Sequence, residues 1–159
     1  MVKQLKCYQK RTSMTNLHLF NTDNFESIEE RLKNKMVGAI LHSFRNANQF
    51  LEVEFASDDF EEIIFFMECD ISCSDDSIVK IVNNLKLFDK DVSNICFFIP
   101  ANNKKVKDVV YNPKKLSIIF DNDYSIYFDL DSNDYGEPLS ISFRKNKDYK
   151  EYEFIDLWK

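Results

Sequence analysis

The chain has 159 residues, 44% of them apolar and 14% aromatic, with two glycines, three prolines and a formal net charge of −6. This length suits a single domain over 1–159, large enough to bury a core without disulfide or metal staples. Two glycines are too few for the glycine-rich loops that cradle phosphates, and a pI near 5.0 argues against a phosphate-tracking, nucleic-acid-binding surface.

Segment 2–9 alternates weakly and predicts a first strand. Asp23 or Asn24 is the expected N-cap of a helix, with Glu26, Glu29 and Glu30 placed where carboxylates favour the helix dipole. Phe25, Ile28, Leu32, Met36, Ile40 and Phe44 recur at three and four residues, which predicts a helix over 25–35. Residues 36–44 read either as its continuation or as a strand paired with the next one. Gly38 costs a helix about 1 kcal/mol relative to Ala.

Residues 50–56 alternate, with Leu51, Val53 and Phe55 on one face and Glu52 and Glu54 on the other, as a half-buried strand requires. Ser57-Asp58-Asp59 is a turn. The apolar run over 62–69 predicts a central strand. Ser72 or Ser74 is the expected cap of a second helix, with Asp75 and Asp76 in its first turn and Ile78, Val82 and Leu85 as its buried stripe. Residues 94–99 read as a buried strand ended by Pro100. Strands are then expected at 106–111, 115–121, 124–130, 139–144 and 151–158, joined by segments rich in turn formers. The pattern is an α+β domain: a largely antiparallel sheet with a C-terminal β-meander and about two helices packed on one face.

The first residues contain no apolar stretch of leader length, and no run approaches the roughly 18 apolar residues of a membrane helix. A cytoplasmic protein is the expectation, with Cys7, Cys69, Cys73 and Cys96 as thiols and no membrane partner.

Catalytic signals are faint. His18 has no partner in sight, and His42 lies in an apolar stretch that suits a packed or rim residue. Cys69 and Cys73 are four apart and lack the second Cys or His pair of a zinc site. Asp129, Asp131 and Asn133 mimic the start of a calcium loop, but Asp134 stands where that loop needs glycine and Ser140 where it needs glutamate. An acidic hairpin loop fits better. The adjacent pairs Asp58/Asp59 and Asp75/Asp76 suit a turn and a helix start. No catalytic residue, metal ligand or cofactor is assigned.

The charges are sorted along the chain. No Lys or Arg lies between Arg45 and Lys80, nor between Lys115 and Arg144, yet these windows hold 16 of the 27 acidic residues. The remainder carries 21 basic residues against 11 acidic ones. Solvated strand faces and turns explain carboxylates but not the exclusion of Lys, which commonly guards exposed edges. A field of one sign steers partners of the other, so a basic protein partner is expected. The candidate surface comprises Glu52, Glu54, Asp58, Asp59, Asp121, Asp123, Tyr127, Asp129, Asp131, Asp134 and Tyr135, with tyrosines as interface anchors.

The stretch Tyr124-Ser125-Ile126-Tyr127-Phe128-Asp129, the acidic loop to Tyr135-Gly136, and Leu139-Ser140-Ile141-Ser142-Phe143 resemble a strand, acidic turn, glycine and strand found in bacterial immunity proteins of polymorphic and contact-dependent toxin systems. The resemblance covers about 20 residues, and Tyr135 stands where those families commonly have His. It implies a non-catalytic inhibitor that binds and neutralises a basic toxin, such as a nuclease. The alternatives are a carboxylate-based metal-binding protein or hydrolase, and an acidic nucleic-acid mimic.

Overall fold

The computed structural model describes residues 26–47, 50–85, 93–131, 139–145 and 152–157. The first expected strand, at 2–9, lies outside them. Helix α1 (Ile28–Met36) starts at Ser27 through a reciprocal capping box. Ser27 Oγ accepts from the Glu30 N–H at 3.2 Å, and Glu30 Oε2 accepts from the Ser27 N–H at 2.9 Å. Ser27 is thus the N-cap; Asp23 and Asn24, expected in that role, are outside the described residues. These bonds hold the Glu30 carboxyl below its ordinary value. Leu32 and Met36 are the buried stripe.

Gly38 decides how 36–44 folds. Its φ of +92° breaks the helix in a conformation that L side chains rarely adopt. Strand β1 (Ile40–Ala47) follows at once. β2 (Phe50–Ala56), β3 (Glu62–Met67), β8 (Leu139–Arg144) and β9 (Tyr152–Leu157) complete one antiparallel sheet, in the order β1-β2-β3-β8-β9. β3 is central, as its apolar run predicts. The second sheet has the order β4-β7-β6-β5 and contains β4 (Asp70–Cys73), β5 (Val106–Asn112), β6 (Lys115–Phe120) and β7 (Ser125–Asp129).

The α+β class, the antiparallel pairing and the C-terminal meander are all present. The strands divide between two sheets, so the meander does too: β5, β6 and β7 are consecutive in one, and β8 and β9 form a pair in the other. β7 and β8 lie in different sheets, so they are not the paired arms of the acidic hairpin expected between them.

Alternation packs the sheets face to face. The Phe55 ring of β2 stacks on Phe120 of β6 at 6.4 Å, and Phe65 of β3 meets Phe128 of β7 at 5.7 Å. All four rings are almost fully buried. Burying one such ring contributes about 1.5–3 kcal/mol, so these contacts are a main cohesion of the fold. A corner joins the sheets where Gly38, Ala39 and Leu41 exchange backbone bonds with 103–106.

Helix α1 rests on β5 and reaches across to the other sheet, where Arg31 and Lys35 pair with Glu153 at 3.0 and 2.7 Å. Helix α2 (Asp76–Leu85) lies against β4. Asp75 stands immediately before α2, and its Oδ1 accepts from the Ser77 N–H at 2.8 Å, so Asp75 fills the capping role expected of Ser72 or Ser74. Ser72 lies in β4, and Ser74 Oγ accepts from the Ser125 N–H.

Residues 94–99 are not a strand. Two short 3-10 turns cover Ile95–Phe97 and Ile99–Ala101. The buried positions are Asn94, Phe97, Phe98 and Ala101, a helical spacing. Phe98 stacks near Phe44 at 6.1 Å and Phe128 at 6.5 Å, plugging the core from the side.

Candidate interaction surface

Inward positions of the five-stranded sheet are spent on the core, so its outward positions form one solvent-facing surface. The register arranges them in rows across the strands. One row runs Arg45, Glu52, Phe66, Ser140, Asp156. The next runs Ser43, Glu54, Ile64, Ser142, Phe154, with Ser142 itself buried among its neighbours. A third brings together Glu62, Arg144 and Tyr152. The helices make their main contacts elsewhere, with β5 and β4. Phe154 is 53% exposed and Tyr152 46%, values far from those of core aromatics.

Polar side chains on this face hold one another in place. Arg45 Nε donates to Glu52 at 2.9 Å, Arg144 pairs with Glu62 at 2.6 Å, and Ser140 Oγ donates to Asp156 Oδ1 at 2.6 Å. The Arg144 guanidinium also lies 5.8 Å from the Tyr152 ring centroid. His42, at the bulge in β1, brings Nε2 to 3.5 Å from Glu54; it is a rim residue, half exposed.

The first acidic window closes around this face. Glu52, Glu54 and Glu62 are on it, Glu68 follows the end of β3, and Asp58, Asp59 and Glu61 occupy the β2–β3 turn at one end. Among the described residues, Asp156 brings the carboxylates to eight, against Arg45, Arg144 and Lys145 and, beside Asp58 and Asp59, Arg31 and Lys35. Asp58 and Asp59 also line an open hollow of about 610 Å³ beside α1, together with Lys35 and Phe60. Arg31 and Lys145 line it too; Lys35 sits over the Phe60 and Phe143 rings at 5.0 and 5.3 Å, and Arg31 pairs with Glu153.

The second acidic window lies on the other sheet. Tyr127 points outward from β7, opposite in direction to buried Ile126 and Phe128, and Lys115 covers its ring at 3.7 Å. Asp129 and Asp131 are at the end of β7, with Lys114 at 3.7 Å from Asp131. Asp121 and Asp123 are in the β6–β7 turn. Lys107 holds Asp123 at 2.8 Å, which lowers the Asp123 carboxyl and raises the Lys107 amine relative to their ordinary values. Asp134 and Tyr135 are outside the described residues.

The structure therefore brings Glu52, Glu54, Asp58 and Asp59 together and places Asp121, Asp123, Tyr127, Asp129 and Asp131 on the opposite sheet. Strand pairing also undoes part of the sorting, since the lysines absent from the second window return to it from neighbouring strands. Phe66, Tyr152, Phe154 and Asp156 are the surface residues missed in the sequence. The only available signal was alternation in 62–67 and 152–157, where apolar residues occupy both faces.

No family model, no curated protein and no solved structure matches this chain.

Among the described residues there is no group of three or more metal-ligating side chains, and no helix is long and apolar enough to cross a membrane. Cys69 and Cys73 are buried and joined in no disulfide. Tyr124 is strongly perturbed: burial pushes its hydroxyl far above the ordinary value, and Cys73 adds to the effect. Its hydroxyl donates to the Phe97 carbonyl at 2.8 Å, a bond that ties the 3-10 plug to the second sheet.

Proposed function

We propose that this chain is a non-catalytic, immunity-type protein that binds and neutralises a basic bacterial toxin domain, of which a nuclease is the leading candidate. The observation that supports it is the outward face of the five-stranded sheet, where exposed Tyr152 and Phe154 sit among carboxylates that outnumber the cations of the described residues there and at its rim by eight to five. Aromatic anchors inside a charged rim are the composition of a specific protein interface. An acidic field around them accelerates capture of a basic partner, to about 10⁸–10⁹ M⁻¹s⁻¹ at low salt. The inferred inhibition is steric, by covering the basic surface with which such a toxin would hold its substrate.

The test is co-expression with the product of the neighbouring gene, which the proposal expects to be a basic toxin domain. Growth should be restored, and the purified pair should associate at a rate that falls steeply with added salt. Continued growth arrest in the presence of folded, abundant protein would reject the proposal.

A further inference from the structure

We propose that β9 is a docking edge, and that the partner adds an extended basic strand to it, continuing the five-stranded sheet. This rests on the reading of the chain as a binder of a basic protein and names the geometry of docking.

An edge strand presents unpaired backbone N–H and C=O groups. Folded proteins blunt such edges with short strands, bulges, basic side chains, proline, inward charges or a covering element. Among the described residues the edge strands are β1 and β9 in one sheet and β4 and β5 in the other. β4 has four residues and lies against α2. β5 is bulged between Val106 and Asp108 and lies under α1. β1 is bulged between Leu41 and Ser43, exposes Arg45, and has Leu41 bonded to the backbone of Asn103 and Lys104. β9 is guarded in none of these ways. Its six residues pair with β8 in unbroken register, and 152–157 contains no Lys, Arg or Pro. Its inward charge, Glu153, is neutralised by Arg31 and Lys35.

Charge selects the occupant. Tyr152, Phe154 and Asp156 are exposed on the outward side of β9, and the two rings lie 6.1 Å apart. Outward residues recur at every second position, so an added strand sets one side chain beside Phe154 and another beside Asp156. Cross-strand pairing favours an aromatic or β-branched residue at the first and Arg or Lys at the second. A second copy of this chain would bring no cation to Asp156, because 152–157 has none. In strand addition the backbone bonds carry affinity and the alternating side chains carry specificity.

The probe is a blocked dodecapeptide of three Arg-Thr-Val-Thr repeats, followed by amide hydrogen exchange in the full chain. Alternate amides of β9 should exchange freely in the free chain and at least tenfold more slowly with peptide bound. N-methylation of alternate peptide amides removes donors and keeps the charge; it should weaken binding at least tenfold. Glu in place of the peptide's Arg should abolish binding. Phe154→Lys, at an exposed position, installs a guard and should weaken binding at least fivefold with the melting temperature retained. No slowing at β9 with millimolar peptide, equal binding of the N-methylated peptide, or slowing centred on β1 or β4 would overturn the inference. So would alternate β9 amides already protected in the free chain, whether by a second copy or by its own residues 1–25. Slowing at β9 by the peptide, with no neutralisation of the neighbouring gene's product, would remove the functional reading alone. Neutralisation undiminished by Phe154→Lys would remove this inference alone.

Discussion

Replacing Glu62 by Gln should lower stability by about 2 kcal/mol, a value set between the two regimes of ion pairs. Exposed pairs contribute about 0–1 kcal/mol, and removing one partner of a fully buried pair costs about 3–5 kcal/mol. The Glu62 and Arg144 side chains are 19% and 17% exposed, so their pair belongs between these limits. Arg144 Nε is buried without a hydrogen-bond partner, so the guanidinium depends heavily on Glu62 for compensation. Arg144→Met should cost about as much, since it also removes the contact with Tyr152. The double variant should then lose at least 1 kcal/mol less than the two singles together, because neither charge is left alone. Urea denaturation followed by tryptophan fluorescence measures all three. With a slope of about 1.5 kcal/mol/M, Glu62→Gln should move the midpoint down by roughly 1.3 M. A loss below about 0.5 kcal/mol, or strict additivity, would show that water already solvates the pair and would refute the reasoning.

Three further outcomes follow from local geometry. Tyr124 is neutral and buried in the fold, and its hydroxyl titrates well above the ordinary value of 10.0. Its contribution is complete below pH 10 and is lost as pH rises beyond it, because the unfolded chain ionises first. Tyr124→Phe should cost about 1 kcal/mol at neutral pH, and should flatten the fall in melting temperature above pH 10; an unchanged alkaline limb would contradict this. Ser27→Ala should remove the capping box and cost about 1 kcal/mol, seen as a lower urea midpoint, and should make stability less sensitive to pH near the ordinary carboxyl value of Glu30, whose contribution is present above that value and lost as pH falls. Gly38→Ala meets no atom within 4 Å, so any cost comes from φ +92° alone; about 1–2 kcal/mol is expected, and a neutral result would mean that the backbone there relaxes.

Strand patterning was legible where one face meets water. Leu51, Val53 and Phe55 alternate with carboxylates, and their core-facing role follows directly from that period. The division into two sheets was not legible, because alternation tells which face is buried but not which strand lies opposite. Two readings failed where local spacing admits two answers. Residues 94–99 are continuously apolar, so only the burial of 94, 97, 98 and 101 in three dimensions reveals a helical period. The capping of α2 failed because serine and aspartate compete for that role, and Ser74 is engaged by Ser125 of a strand far away in sequence. Charge sorting in the chain was a half-guide to the surface. The β2–β3 hairpin keeps its carboxylates adjacent in space, so the first window survives folding. The second window lies on strands flanked by lysine-bearing β5 and β6, so Lys107, Lys114 and Lys115 cover much of it.

The central claim is that a basic partner docks on the outward face of the five-stranded sheet. Its most direct test compares two variants for association with the product of the neighbouring gene, which the proposal expects to be a basic toxin domain. Phe154→Ser/Asp156→Asn alters the β9 side of that face; Tyr127→Ser/Asp129→Asn/Asp131→Asn alters the opposite sheet. Loss of an aromatic anchor with its charge partner should weaken the complex about a hundredfold, while the second variant should stay within about twofold of the parent. The reverse order of effects would contradict the account and place the partner on the four-stranded sheet.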